Sequence, residues 1–279
     1  MTDSSTSSPI PGQVLVCGDW HGDWTWAAGV IRYAASIGVR TLVQVGDLNV
    51  GFYPEDRDAV ASLEPVLAEC GVQMIFLDGN HDNHSYLGIL SRRADGLVAL
   101  SQHLSYAPRG TRLTLDTPGG PLRCGFLGGA ISVNRNLLTP GVDYWFGEAT
   151  TPADVSRLGS APLDVLFTHD APIPGRGDMG LLAGPGLRGI PEQAQKDSDR
   201  VRELLHRAVA ATRPSLVVCG HWHKRVSGHT EHPGGRTRVE LLHMQRRVEN
   251  MVLLTATDYG PQVGSVDYPS YQSIKEPSR

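Results

Sequence analysis

The chain has 279 residues, enough for one large domain with a sizeable core or for two small ones. Its 25 basic and 29 acidic residues nearly balance, so no broad nucleic-acid-binding or membrane-binding surface is expected. The four cysteines lie far apart and form no CxxC pair, which favours free thiols and a reducing cytoplasm over disulfides.

The first half of the chain alternates predicted strands and helices after a Ser/Thr-rich segment, 1–12, that we expect to be a flexible tail and not a signal peptide. Apolar runs bounded by Gly and Asp predict three strands: 13–17, 41–45 and 73–77. Helical spacing of apolar residues predicts two helices between them, 24–37 and 55–70, each followed by a glycine. This order predicts parallel strands with right-handed crossovers.

The second half mixes short strands, helices and two long loops. After a short helix near 85–91, alternating stretches around 97–100, 112–115 and 122–127 predict antiparallel strands. Further elements are predicted as follows: a helix with Thr151 as N-cap and Pro152 at its first position, strands at 165–168 and 216–219, a helix over 191–212, and antiparallel strands at 225–229, 238–242 and 251–257. Residues 128–150 and 171–189 are predicted loops whose length suggests a functional role. We expect a single domain over 13–264 and a polar tail over 265–279, with no segment long and apolar enough for a membrane helix.

Seven side chains of metal-ligand type follow five of the predicted strands: Asp19, His21, Asp47, Asn80, His169, His221 and His223. In layered α/β proteins, ligands bind beyond the carboxyl ends of such strands, so these side chains are expected to meet at one rim. Chance capping of a strand end explains a single Asp or His, but not seven at five strand ends. Asp47, alone in its loop, is the natural bridging ligand. Nitrogen and oxygen donors without sulfur suit Mn²⁺, Fe or Zn²⁺.

The order Asp-x-His, Gly-Asp, Gly-Asn-His-Asp, His and Gly-His-x-His resembles the signature of the calcineurin-like metallophosphoesterases, in a bacterial or phage-type form, over about residues 14–257. The resemblance implies a four-layer α/β/β/α sandwich of two mixed β-sheets flanked by helices, with a dinuclear metal site on the strand-end loops. It also implies a division of the ligands: Asp19, His21 and His223 for the first metal, Asn80, His169 and His221 for the second, and Asp47 as the bridge.

The same resemblance implies metal-dependent hydrolysis of an anionic phosphoester by a metal-bridging hydroxide. His81 would stabilise the phosphoryl oxygens or protonate the leaving group, and Asp82 would orient its imidazole. The block Gly46–Gly51 lacks the phosphate-binding arginine of many family phosphatases, which favours a phosphodiester or nucleotide substrate. Arg135, in the active-site loop 128–150, could replace that arginine or could be a solvated surface residue.

Other functions stay open at this point. A phosphomonoesterase such as a protein phosphatase is the nearest alternative. A non-catalytic scaffold with this fold would be favoured by loss of ligands or of the catalytic histidine, and none is lost here. A regulatory nucleotide-binding module would use the metals without turnover. The aromatic run Tyr144-Trp145-Phe146 could stack on a nucleobase, although packing of the loop onto the sandwich is the commoner role of such residues.

Overall fold

The computed structural model describes residues 12–52, 59–173, 190–266 and 268. Its helices and strands, in chain order, are β1 (Val14–Cys17), α1 (Trp24–Ser36), β2 (Thr41–Gln44), α2 (Ala59–Cys70), β3 (Gln73–Phe76), α3 (His84–Gly88), β4 (Val98–Ala99), β5 (Leu104–Tyr106), β6 (Thr111–Thr117), β7 (Gly120–Leu127), α4 (Pro152–Leu158), β8 (Val165–Thr168), α5 (Glu192–Thr212), β9 (Leu216–Cys219), β10 (Val226–His232), β11 (Gly235–Leu241), β12 (Met251–Thr257) and β13 (Gly260–Gly264).

The strands form two mixed sheets. The first has the order β13-β12-β1-β2-β3-β5-β4, and the second has the order β10-β11-β9-β8-β7-β6. In the first sheet β1, β2, β3 and β5 run parallel, and antiparallel strands lie outside them. In the second sheet β11, β9, β8 and β7 run parallel between two antiparallel edge strands. The predicted parallel βαβαβ unit is therefore confirmed.

Three hydrophobic cores separate four layers. Helices α1 and α2 cover the outer face of the first sheet through residues such as Trp26 and Leu63. Val16 and Val43 of that sheet belong to the core between the sheets, together with Phe167 of the second sheet. A third cluster, which includes Leu158 of α4 and Leu205 of α5, covers the outer face of the second sheet. The central strands are buried on both faces, which explains their continuous apolar sequences and confirms the predicted α/β/β/α sandwich.

Several strands differ from prediction, among them β11, which pairs antiparallel with β10 as predicted but also parallel with β9. The segment Leu104–Tyr106 forms β5, a strand that was not predicted and that runs parallel to β3. Strand β7 pairs antiparallel with β6 as predicted but also parallel with β8. Strand β12 was predicted to lie among the C-terminal antiparallel strands, but it leaves the β10–β11 hairpin and joins the first sheet beside β1. An apolar strand has the same sequence pattern whichever neighbour it has, so these pairings depend on the tertiary fold.

The ends and loops show one difference from prediction. Helix α4 begins as predicted, with Thr151 as N-cap in a capping box and Pro152 at the first turn. The loop 128–150 contains a 3₁₀ turn at Arg135–Leu137 and an isolated β-bridge between Pro140 and Tyr144. Within the predicted tail 265–279, Val266 and Tyr268 are buried against helix α1, because their apolar side chains complete its core.

Several predictions fall wholly or partly outside the described residues. These include most of the tail 1–12, the start of the helix predicted over 55–70, and positions 174–189 of the second loop. The boundaries of the single domain, 13–264, stay a prediction. Among the described helices, none has both the length and the hydrophobicity needed to span a bilayer.

Candidate metal centre

The seven predicted ligand residues lie at the carboxyl ends of adjacent parallel strands. Three blocks follow β1, β2 and β3 of the first sheet: Asp19 with His21, Asp47, and Asn80. Two blocks follow β8 and β9 of the second sheet: His169, and His221 with His223. The carboxyl ends of these strands lie on the same edge of both sheets, so the ligand side chains meet there. In the chain, the same residues are separated by the helices and loops that connect one parallel strand to the next.

The side chains form two groups that share one carboxylate. Ligand atoms of Asp19, His21, Asp47 and His223 lie within 4.8 Å of one another, and so do those of Asp47, His169 and His221. In the first group, Asp19 Oδ2 is 3.1 Å from His223 Nε2. In the second, His169 Nε2 is 3.2 Å from Asp47 Oδ1 and 3.2 Å from the amide oxygen of Asn80. The structure thus brings all seven residues together.

The donor set and its surroundings fit a pair of divalent cations. Asp19 and Asp47 are 0% and 1% exposed, and buried carboxylates need a compensating positive charge. Nε2 atoms of His21 and His223 lie 2.9 Å apart, close enough to face one cation. Two glycines allow the carboxylates to lie against the backbone of neighbouring loops. A β-carbon on Gly79 would lie 2.1 Å from Asp47 Oδ1, and one on Gly220 would lie 2.1 Å from Asp19 Oδ1.

Four candidate ligand residues have left-handed backbone conformations. The φ angles of His21, Asp47, His221 and His223 are 43°, 58°, 69° and 52°. Each such non-glycine residue costs about 1–3 kcal/mol and persists only where the surrounding structure holds it. Strain of this kind clusters at functional sites, so its concentration here is consistent with residues placed for ligation and not for stability.

The electrostatics of the site couple its carboxylates to its imidazoles. Burial raises the pKa of Asp47, but the charges of His169 and His81 outweigh that effect and hold it well below its usual value. Burial likewise lowers the pKa of His169, but the neighbouring Asp47 carboxylate raises it overall. Burial lowers the pKa of His221 to about 4, so this imidazole is neutral at pH 7. Metal ligation requires neutral imidazole, so cation binding would release the proton of His169.

The structure does not support the role predicted for Asp82. Its carboxylate accepts the backbone N–H groups of Asp47, Val50 and Gly79 at 3.1, 2.9 and 2.8 Å. Within the described residues it makes no hydrogen bond to the His81 imidazole. The three amides lie closer than the imidazole, so Asp82 connects the loops after β2 and β3. Burial and then the charge of Asp47 raise the pKa of Asp82 to about 7.

His81 is held by ring contacts. Its imidazole lies 5.3 Å from the ring of His21 and 4.9 Å from that of Phe52, measured between centroids. Its backbone N–H donates to Asp47 Oδ1 at 2.7 Å. Phe52 in turn contacts Trp145 at 5.4 Å. The loop 128–150 therefore supports His81 through Phe52.

The predicted substrate contact of Arg135 is not favoured by its position. Arg135 pairs with Asp197 of helix α5, which accounts for its charge. In the neighbouring aromatic run, Trp145 is 5% exposed and packs the loop onto the sandwich, whereas Phe146 is 82% exposed. Two roles were considered for this run, stacking on a nucleobase and packing of the loop, and the burial of Trp145 fits packing.

Sequence reasoning missed Ser132 and Glu148. Asn80 Nδ2 donates to Ser132 Oγ at 3.2 Å, and Ser132 Oγ donates to a carboxylate oxygen of Glu148 at 2.6 Å. Both residues belong to the loop 128–150, which was predicted to be part of the active site. The signal that could have found them is a serine and a glutamate placed between apolar residues of a loop that packs closely.

Comparisons with known proteins identify the family. A model of the calcineurin-like phosphoesterases matches residues 12–225, so the chain belongs to this family. It is accordingly a hydrolase of phosphoesters that depends on two divalent metal ions. A comparison with curated protein sequences found no significant match.

Solved structures support the fold. Protein TT1561 of Thermus thermophilus is 14% identical, with a TM-score of 0.50 over 92% of this chain and 99% of that one. A dimetal phosphatase from Danio rerio is 13% identical, with a TM-score of 0.53 over 93% of this chain and 100% of that one. Both are matched over nearly their whole length, so the similarity extends over the whole two-sheet fold.

Proposed function

We propose that the protein hydrolyses a phosphodiester or a nucleotide phosphoester at a dinuclear centre built from the seven clustered side chains. The first cation would be held by Asp19, His21 and His223, the second by Asn80, His169 and His221, and Asp47 would be shared. The observation that carries this proposal is the membership of Asp47 in both groups of converging ligand atoms. A shared carboxylate is what holds two cations a few ångströms apart.

The two cations, when bound, would neutralise phosphate oxygens and lower the pKa of water toward neutrality. A donor set of carboxylate, amide and imidazole without sulfur suits Mn²⁺ best in our proposal, with Fe or Zn²⁺ as alternatives. The four cysteines are free thiols, which supports a reducing compartment such as the cytoplasm.

His81 is the proposed acid of the reaction. Its ring lies beside His21 at the rim and is only partly buried, so a bound phosphoester can reach it. An imidazole there can donate a proton to the leaving oxygen or a hydrogen bond to a phosphoryl oxygen. Phe52 also contacts this ring, at 4.9 Å between centroids, and the two contacts restrict its orientation.

The preference for diesters rests on two observations in the described part of the chain. The block Gly46–Gly51 contains no arginine, and Arg135 is paired with Asp197. A phosphate monoester dianion carries one more negative charge than a diester, so it would benefit more from an arginine clamp. A phosphomonoesterase is the runner-up.

Hydrolysis assays with the Mn²⁺-loaded protein test both parts of the proposal. Bis(p-nitrophenyl) phosphate should be cleaved faster than p-nitrophenyl phosphate, and a panel of nucleotides, cyclic nucleotides, dinucleotide polyphosphates and phosphopeptides should then narrow the substrate. Faster cleavage of the monoester would contradict the diester preference. Cleavage of neither ester by protein with two bound ions would overturn the proposed activity.

Two variants test the assigned residues. His81→Ala should lower kcat by about 10²–10⁴-fold while two ions stay bound, because it removes only proton transfer or phosphoryl stabilisation. Asp47→Asn should reduce the metal content, whereas Asp116→Asn, at an exposed position of β6, serves as the matched control. Full activity of either active-site variant would remove that residue's role.

A further inference from the structure

A buried chain of hydrogen bonds connects the proposed ligand Asn80 to a carboxylate that sequence reasoning did not select. It runs from Asn80 Nδ2 to Ser132 Oγ at 3.2 Å and from Ser132 Oγ to Glu148 Oε2 at 2.6 Å. The three residues are 3%, 1% and 1% exposed. Bulk water therefore cannot supply alternative partners, and each group depends on its neighbour in the chain.

The direction of these bonds is set by chemistry. When Glu148 is ionised, its carboxylate only accepts, so the single hydroxyl proton of Ser132 goes to Glu148. The oxygen of Ser132 is then left to accept, and only the NH₂ end of the Asn80 amide can donate to it. The amide oxygen of Asn80 must point the other way, and it lies 3.2 Å from His169 Nε2. A cation binds an amide through this oxygen and is repelled by the NH₂ group.

Backbone contacts hold Glu148 in place. Its carbonyl oxygen accepts the N–H of Ala130 at 3.1 Å and Nη2 of Arg109 at 2.8 Å. Arg109 also binds the carboxylate of Asp78, two residues before Asn80, through Nε at 2.8 Å. The same buried guanidinium therefore anchors both Glu148 and the loop that carries Asn80, which keeps their separation constant.

We propose that Glu148 is a positioning residue that acts through Ser132 to turn the amide oxygen of Asn80 toward the second metal position. Without Glu148, the Ser132 hydroxyl could donate to Asn80, and the amide could rotate so that its NH₂ group faced the cation. This role rests on the proposed ligand assignment. It gives the loop 128–150 a part in metal binding that is separate from substrate contact.

Titration with Mn²⁺ tests the proposal, because occupancy of the two positions can be read without turnover. Isothermal titration would give the two dissociation constants, and electron paramagnetic resonance would report the exchange-coupled pair. Glu148→Ala and Ser132→Ala should leave the first ion bound as in the unmodified protein. The second ion should bind about tenfold or more weakly, with loss of the coupled signal. Glu148→Gln, which keeps an acceptor oxygen for Ser132, should restore both.

Matched controls separate positioning from mere loss of stability. Thr150→Val removes the hydroxyl that binds the carbonyl of Gly128 in the same loop at 2.7 Å, but it does not touch Asn80. It should lower the melting temperature and leave the second dissociation constant unchanged. The double variant Glu148→Ala/Ser132→Ala should bind the second ion no more weakly than either single variant, because both remove the same link. If Glu148→Ala does not fold, Ser132→Ala carries the same comparison.

Three results would overturn the inference, and they are distinguishable. Normal binding of both ions by Ser132→Ala and Glu148→Ala would remove the positioning role while leaving the proposed function intact. Binding of fewer than two ions by the unmodified protein would overturn the ligand assignment and with it this role. Equal weakening of both ions in Thr150→Val and Glu148→Ala would show that the loop acts only through stability.

Discussion

Replacing Gly79 with alanine should disrupt the metal centre by steric pressure alone. A β-carbon at this position would lie 2.1 Å from Asp47 Oδ1, 2.4 Å from the backbone nitrogen of Asp47 and 2.7 Å from His169 Nε2. Gly79 does not have a left-handed φ, so alanine adds no backbone strain of that kind. Because a comfortable carbon contact is about 3.5 Å, Asp47 would have to move by roughly 1 Å or more.

The size of the effect follows from this displacement. A misplacement of about 1 Å in an active site costs about 10²-fold in rate, which corresponds to about 2.7 kcal/mol. Overpacking should also lower the free energy of unfolding by about 1–3 kcal/mol. We therefore expect Gly79→Ala to lose at least about 10²-fold in kcat/KM toward the preferred ester and to bind Mn²⁺ more weakly.

The assay compares Gly79→Ala with Gly88→Ala in helix α3, where a β-carbon would meet no atom within 4 Å. The control should keep its activity and its two bound ions, since alanine is also the better helix residue. Metal content and kcat/KM are measured on the same preparations. If Gly79→Ala retained two ions and a rate close to that of the unmodified protein, the close contact of Gly79 with Asp47 would not matter for function.

Three further predictions concern stability. Burial lowers the pKa of His84 to about 4, so below about pH 6.5 the unfolded chain takes up a proton that the folded chain excludes, and the free energy of unfolding falls as pH decreases. This effect lowers the free energy of unfolding by about 2 kcal/mol between pH 7.5 and pH 5. In urea unfolding, the free energy of unfolding of His84→Gln should therefore decrease less over this pH range than that of the unmodified protein. An equal decrease in the two proteins would contradict the prediction. Tyr268→Ala should lower the free energy of unfolding by about 3 kcal/mol, because it removes ring contacts with Trp26 and Tyr33. Tyr268→Phe should leave the free energy of unfolding unchanged or raise it, because the tyrosine hydroxyl is buried with no hydrogen-bond partner among the described residues. Mn²⁺ at about 100 times its dissociation constant should stabilise the protein by about 2.7 kcal/mol per site, seen as a melting temperature that falls on chelation; an unchanged temperature would argue against a metal centre.

Much of the candidate site could be predicted because its residues follow strands with strong local signals. Short apolar runs ended by Gly and Asp define strand ends without reference to the rest of the chain. Asp19, Asp47 and His169 each follow such a run directly, and parallel strands deliver their carboxyl ends to one rim. The βαβαβ order and the capping of α4 at Thr151 are likewise local properties.

The roles of Asp82 and Glu148 could not be predicted in the same way. Asp82 binds three amides from two loops, and Glu148 reaches Asn80 only through Ser132, 52 residues away from Asn80 in the chain. A hydrogen-bond partner is selected by distances of a few tenths of an ångström between loops from different elements, and no residue pattern encodes such distances.

Residue type and local periodicity were enough to identify the side chains that can bind metal and the strand ends that carry them. The tertiary structure placed β5 and β12 in the first sheet and directed the Asp82 carboxylate to backbone amides of two loops and not to His81. It also decided that a buried carboxylate stands behind Asn80. These features arise from packing between elements distant in the chain, where shape and hydrogen-bond geometry select among partners that look equivalent in the sequence.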